Sequence, residues 1–238
     1  MRLDKYLVEN GFFNTRAKAQ EAIKLGQVYS DGKAITKPSE EKYGEITLSE
    51  DVLKYVSRAG LKLEKAIEHY HLDFNNKRVL DVGSSTGGFT EVSLLNGAKE
   101  VVSVDVGKDQ MDKSLRDNPK IRLMEETNIL DLTSDDIKDV DIIVMDVSFV
   151  SITKIIPHLM EFGAKEYVIL IKPQFETGGE HLVKGVVKDR KVHDKVVRDI
   201  TKFVKDLGLN FIGVTSSPIK GGSGNKEFIM YVKEKRVC

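Results

Sequence analysis

Two kinds of hydrophobic spacing alternate along most of this chain. From Lys77 onward, short apolar runs recur at 78–82, 100–105, 120–124, 141–146, 166–172, 210–215 and 226–232, with the length and β-branched content of buried strands. Between them, apolar residues return every three or four positions, as at Phe89, Val92 and Leu95. That spacing predicts helices over 87–96, 108–116, 150–161 and 193–207. Strand–helix alternation of this regularity builds a doubly wound α/β sheet. The last two runs have no helix between them, so a hairpin-like pair is expected to close the sheet. The segment 177–194 breaks the alternation. It is long, glycine-bearing and basic, and is expected to be a mobile loop that presents Lys184, Lys188, Arg190 and Lys191.

Residues 1–48 follow a different grammar. Leu3, Tyr6, Leu7 and Val8 predict a short helix that stops at Gly11. Asn14 or Thr15 can cap a second helix, with Ala19, Ala22, Ile23 and Leu25 on its apolar face and Gly26 at its end. Short β signals follow in QVYSDGKAIT, turning at Asp31-Gly32, and again at 46–48. A helix pattern carried by Leu61, Leu63, Ala66, Ile67 and Tyr70 leads into the regular alternation. The expected organisation is a small domain over 1–51, a linker over 52–58 and an α/β domain over 59–238.

Composition narrows the class. The longest unbroken apolar runs, Tyr167–Ile171 and Phe228–Val232, are far shorter than the roughly 20 residues of a membrane span. No charged-then-apolar leader is visible, and the single cysteine, Cys238, excludes an internal disulfide. A soluble cytoplasmic protein, monomeric by default and without a membrane partner, is expected. No metal cluster is expected: His69 and His71 do not share a helix face, and His158, His181 and His193 are scattered. Net charge is zero but unevenly spread: residues 1–37 hold seven basic against four acidic side chains, and 172–205 hold nine against five. These basic segments can form one cationic face.

The most informative stretch is DVGSSTGGFT, residues 81–90, a strand, tight turn and helix start. Gly83 permits a sharp turn, and Gly87 and Gly88 are expected to leave room for a ligand against the backbone. Ser85 stands where the dinucleotide fingerprint G-x-G-x-x-G requires its middle glycine, which disfavours a pyrophosphate. S-adenosylmethionine has no phosphate and suits this loop better. Asp105 ends the next strand, 24 residues after Asp81, where an acid takes a ribose diol.

Four ionisable residues stand where such a sheet puts its ligands. Asp146 and Lys172 end strands, Lys62 lies on the helix entering the domain, and Glu227 starts the last strand. Two amines and two carboxylates are often plain salt bridges. They also suit a reaction in which a hydroxyl must lose a proton. A lysine serves as base only if its pKa falls from ~10.4 to about 7–8, and the acids oppose that fall.

These residues carry two resemblances. RLDKYLVENGFFNTRAKAQEAIKLGQVYSDGKAITKPS resembles the S4 RNA-binding domain, which implies that Arg2, Thr15, Arg16, Lys18, Gln20 and Lys24 meet structured RNA, with Arg58 beside them. SRAGLKLEKA, MDVSFVS, IKPQFE and NKEF resemble the Lys–Asp–Lys–Glu tetrad of FtsJ-like RNA 2′-O-methyltransferases. End to end, the chain is similar to the TlyA family, once called haemolysin A, whose members methylate cytidine ribose in ribosomal RNA. That similarity implies a Rossmann-like seven-stranded methyltransferase sheet behind a small S4-type α+β domain. It makes Lys172 the candidate base, with Lys62, Asp146 and Glu227 around it. It assigns Asp81, Gly83, Ser84, Gly87, Gly88 and Phe89 to the methionine end of S-adenosylmethionine, and Asp105 to its ribose. Asn128, or alternatively Asp131, falls at the adenine position. Phe149 and Phe175 are expected in core packing, or else near the methyl donor or a flipped base. Ribosomal RNA or subunits are the implied partner, which the loop over 177–194 is expected to face with Lys184, Lys188, Arg190 and Lys191 on phosphates. A non-catalytic assembly factor and a membrane-damaging haemolysin remain as alternatives.

Overall fold

The computed structural model describes residues 1–13, 15–49 and 54–235. The alternative cap Asn14, the first residues of the expected linker (52 and 53), the domain edge at 51 and Cys238 lie outside the described residues. The chain divides into two compact units, residues 1–58 and 59–238.

In the first unit, α1 (Leu3–Glu9) and α2 (Arg16–Lys24) cover a small sheet of β1 (Val28–Ser30), β2 (Lys33–Ile35) and β3 (Ile46–Leu48), in the order β2-β1-β3. Leu3, Leu7, Ala19, Ile23, Val28 and Ile46 form its core. The Thr15 hydroxyl caps α2 by accepting from the Lys18 N–H. Asp31 and Gly32, with φ of 49° and 75°, make the two-residue turn between the paired Ser30 and Lys33.

The second unit opens with α3 (Gly60–Tyr70). Its sheet runs β11 (Asn210–Ser216), β12 (Phe228–Lys233), β8 (Glu166–Ile171), β7 (Ile142–Met145), β4 (Arg78–Val82), β5 (Glu100–Val104) and β6 (Ile121–Met124). β4 through β8 are mutually parallel, and β12 runs antiparallel to both its neighbours. The inner strands β4, β5, β7 and β8 are buried along almost their whole length, as a sheet covered on both faces requires, while the edge strands β6 and β11 are more open. The chain moves outward from β4 through β5 to β6, then returns to β7 on the other side. The carboxyl ends of β4 and β7 therefore flank the switch point, where such folds open a cleft.

The helices depart from expectation in three places. Over 108–116 only α5 (Lys113–Arg116) forms, because the Glu125 carboxylate accepts the backbone N–H groups of Asp109, Gln110 and Met111 and holds them in a turn. The helix expected over 150–161 is broken into a 3-10 turn (Ile152–Lys154), α6 (Ile156–Leu159) and a second 3-10 turn (Met160–Phe162). Pro157 has no N–H to donate backward and fits only in the first turn of a helix, so α6 starts afresh at Ile156. The segment 177–194 is not one open loop. After α4 (Gly88–Leu95) and α7 (Pro173–Glu176), it folds a hairpin of β9 (Leu182–Val183) and β10 (Val186–Val187), then begins α8 (Arg190–Asp206). Asp189 caps α8 by accepting from Lys191 N–H, and buried His193, Val196, Ile200 and Val204 hold it to the sheet.

Candidate active site

The turn after β4 sits against the end of β7. Gly83 has φ 80°, and a Cβ there would lie 3.0 Å from the Asp146 carbonyl oxygen. Any other residue would push the turn off β7, so this glycine sets the distance between the loop and Asp146. Ser85 takes a left-handed backbone (φ 46°), held by its N–H donating to Asp105 Oδ2 at 2.8 Å. Asp105 Oδ1 accepts from Gly107 N–H at 2.7 Å. The turn and the acid at the end of β5 are thus tied together. Exposed apolar Val106 and Leu130 follow Asp105 and Asn128 in sequence. Sequence reasoning missed both, since single apolar residues in loops carry no periodic signal. Asn128 uses its side-chain oxygen to accept from Leu130 N–H, capping a 3-10 turn.

The other residues assigned to the glycine loop are buried in protein. Gly87 does not leave room for a ligand: its missing Cβ is replaced by protein, with Met111 Sδ 2.4 Å and Leu115 Cδ1 2.6 Å from where it would stand. Phe89 is buried, as is Gly88 at the first position of α4. Asp81 is fully buried beneath the turn, where Oδ2 accepts from the Thr90 hydroxyl at 2.6 Å and Oδ1 has no partner. Burial, reinforced by the nearby Asp146 and Asp105 charges, pushes its carboxyl up to about 7. The Ser84 hydroxyl is also buried without a partner.

Lys62, Asp146, Lys172 and Glu227, 165 positions apart at the extremes, come together at the carboxyl ends of β7 and β8 and the start of β12. Asp146 lies between the amines, with Lys62 Nζ 3.1 Å from Oδ2 and Lys172 Nζ 2.6 Å from Oδ1. Lys62 also lies 2.7 Å from Glu227 Oε2. The contacts of Lys172 to Asp146 Oδ1 and of Lys62 to Glu227 Oε2 are the two shortest of the group. Lys62, Lys172 and Glu227 are all buried. Burial alone would lower the Lys62 pKa, but the Asp146 and Glu227 charges outweigh it and hold the amine above its ordinary value. Burial likewise opposes the charged form of Asp146, yet the two lysines keep it below the usual carboxylate range. Lys62 is thus a fixed cation.

Lys172 differs in its second neighbour. Its Nζ donates to the neutral Ser148 hydroxyl at 2.9 Å rather than meeting a second acid. Phe149 follows with φ 66° and 91% exposure, its ring 5.1 Å from that of half-buried Phe175. The core position expected for Phe149 is therefore wrong; its reversed backbone turns the ring outward. Glu227 depends on Gly221, where a Cβ would stand 2.3 Å from Oε1. Buried Asn225 accepts from Val187 N–H, donates to Gly185 carbonyl, and so fastens the β9–β10 hairpin to the strand bearing Glu227. Ser148, Gly221 and Asn225 were invisible to spacing arguments, because their roles exist only across chain returns.

The basic residues fall into two sets. Lys184, Lys188, Arg190 and Lys191 are exposed around the hairpin and the start of α8, with Arg190 3.8 Å from Asp194. In the small unit, Lys24 is exposed, whereas Arg58 is mostly covered and pairs with Glu21 at 3.2 Å. Arg2, Arg16 and Gln20 all reach Asp4. Among the described residues, no helix is long and apolar enough to cross a membrane and no group of three or more His, Cys, Asp or Glu is placed to hold a metal.

Comparison with known proteins matches residues 55–234 to the FtsJ-like methyltransferase model and residues 1–41 to the S4 domain. Hemolysin A of Brachyspira hyodysenteriae is 39% identical over 97% of this chain and 99% of its own length. The 16S/23S rRNA (cytidine-2'-O)-methyltransferase TlyA of Mycobacterium tuberculosis (H37Rv) is 36% identical, over 98% of this chain and 89% of that protein. A solved structure from Streptococcus thermophilus, described as a hemolysin, superposes with a TM-score of 0.80 at 37% identity, over 99% of this chain and 89% of that one.

Proposed function

Since the chain belongs to the FtsJ-like methyltransferase family, in the TlyA-like arrangement with an S4 domain, we propose that it methylates a cytidine ribose 2′-hydroxyl in ribosomal RNA, using S-adenosylmethionine. The observation that carries this reading is the single carboxylate shared by two buried lysines beside the glycine turn.

The residues around the turn suit the methyl donor. Asp81 Oδ1 and Ser84 Oγ are buried polar atoms without a protein partner. Asp105, fixed by two backbone N–H groups, faces a diol-binding role, and Val106 and Leu130 offer apolar surface to an adenine. When bound, S-adenosylmethionine supplies an electrophilic methyl on a positively charged sulfur.

The chain's own residues then divide the work. A 2′-hydroxyl is a weak nucleophile and must shed its proton as it attacks. Of the two amines, Lys62 contacts two acids, while Lys172 contacts one acid and a neutral hydroxyl. Lys62 is locked between its two acids, so Lys172 is the amine assigned as the base, receiving the hydroxyl proton on Nζ. Lys62 stays charged and keeps Asp146 and Glu227 in place. The exposed Phe149 ring, backed by Phe175, offers a stacking face for an unstacked base. The S4 unit and the basic hairpin supply phosphate contacts. In this reading the protein works in the cytoplasm as a monomer on ribosomal subunits.

Purified protein, ribosomal subunits and methyl-labelled S-adenosylmethionine test it. The expected product is an alkali-resistant dinucleotide, because a 2′-O-methyl group blocks strand cleavage at that ribose. Lys172→Ala should abolish transfer while calorimetry shows cofactor binding retained. Label found on a base, or Lys172→Ala at native rate, would overturn the proposal.

A further inference from the structure

The small unit contains a buried carboxylate that sequence reasoning left without a role. Asp4, on the first turn of α1, has a side chain with no solvent exposure. Arg2 reaches it through Nε at 3.1 Å and Nη2 at 3.0 Å. Arg16 comes from α2 through Nε at 3.0 Å and Nη2 at 3.4 Å, and Gln20 Nε2 donates at 2.6 Å. The hydrogen bonds from Arg2, opposed by burial and joined by those from Gln20 and Arg16, hold the Asp4 carboxyl far below the usual range. It therefore stays ionised. Yet the Arg2 and Arg16 side chains remain 43% and 53% exposed.

A guanidinium has five N–H groups in one plane. Each arginine spends two of them on Asp4, which leaves three on the outward edge. Two exposed guanidinium groups would otherwise repel one another and sample many rotamers. Held on one carboxylate, they form a fixed pair with a net charge of +1. Such a pair is matched to the paired oxygens of a phosphodiester.

We propose that Asp4 is a positioning residue for RNA: it fixes Arg2 and Arg16 side by side as one preformed phosphate clamp. This rests on the reading of the small unit as an RNA-binding domain. It makes a prediction opposite in sign to simple electrostatics. Asp4→Asn removes a negative charge from a face that meets a polyanion, so a charge-only account has the variant bind RNA more tightly. Loss of the clamp has it bind more weakly.

The test is filter binding of the full chain to labelled, deproteinised ribosomal RNA across a salt series. Asp4→Asn is expected to weaken binding about tenfold and to lower the slope of log K against log salt by about one phosphate contact. On an Arg2→Ala/Arg16→Ala background the same change should have no further effect, since Asp4 acts through those side chains. Hydrogen exchange at the α1 and α2 amides reports whether the unit stays folded. Equal or tighter binding by a folded Asp4→Asn variant overturns the inference. If that variant loses protection, Arg2→Lys and Arg16→Lys decide, because they keep the charge and lose the fork. A tenfold loss in each supports the clamp, and native affinity overturns it. A native chain that fails to bind the RNA would overturn the RNA-binding reading and this inference with it, whereas native binding with unaltered variants overturns the role of Asp4 alone.

Discussion

Replacing Lys62 by methionine should destabilise the large unit far more than a surface charge deletion would. Methionine fills much of the same volume but removes the cation between Asp146 and Glu227. Asp146 keeps Lys172 at 2.6 Å, so it retains a partner. Glu227, with its side chain only 3% exposed, loses the amine 2.7 Å away. At an effective dielectric constant of 20, a pair at that separation is attracted by about 6 kcal/mol, much of which offsets desolvation. Removing one partner of a buried pair costs about 3–5 kcal/mol, because the remaining charge stays buried without compensation. For a unit of this size that corresponds to roughly a 10 °C fall in Tm. Scanning calorimetry of the full chain measures it, and hydrogen exchange at β4 and β8 assigns the loss to the large unit. The sharper test is Lys62→Met/Glu227→Gln. Neutralising the orphaned carboxylate should recover more than half of the lost stability, giving a coupling energy of about 2 kcal/mol, while methyl transfer stays abolished in both variants. A single variant within about 1 °C of native, or a double variant whose loss is the sum of the two single losses, would refute the idea that these charges form one buried unit.

The sheet was legible because its signal is local. Short runs rich in apolar residues, such as those at 78–82 and 166–172, mark strands buried on both faces, and each stands in the sheet. The tetrad was legible for another reason: acids and amines at strand ends are unusual enough to notice, and the topology brings those ends together. What sequence could not supply was interaction between distant segments. Glu125 consumes the N–H groups that a helix over 108–112 would need, and nothing in the spacing of Met111 and Leu115 announces it. The segment 177–194 reads as a loop because its glycines and lysines are loop residues, and the hairpin inside it carries no spacing signal. It is closed by Asn225, nearly forty positions away. In the small unit the arginines were read as free to meet RNA, since a sequence does not show that Asp4 lies beneath them. The Phe149 ring faces solvent because the backbone reverses at that residue, a choice that hydrophobicity alone argues against.

Two further predictions concern residues beneath and beside the cleft. Asp81 titrates near 7 in the folded protein against an ordinary value of 3.8, so the folded state holds a proton that the unfolded state has released between those limits. Its contribution favours folding at low pH and is lost as pH rises through about 7, by an amount on the order of 4 kcal/mol. In cofactor-free protein, Asp81→Asn should therefore raise Tm at pH 8 and change it little below pH 4; an equal shift at both pH values would show that the carboxyl is not held protonated. Gly221→Ala addresses the position of Glu227 rather than its charge. The added Cβ would stand 2.3 Å from Oε1 and 3.1 Å from Cδ, too close for either to remain in place. The carboxylate must move by about 1 Å, and displacement on that scale at an active site costs about 10²-fold in rate. The loss should fall on kcat, with cofactor affinity retained, because the glycine turn after β4 is untouched. Shortening the acid tests whether space is the cause. Glu227→Asp withdraws the carboxylate by one methylene, so it should impair the native protein yet partly restore the Gly221→Ala variant. If the double variant is no faster than Gly221→Ala alone, the clash is not what disables the site, and the glycine serves the loop in some other way.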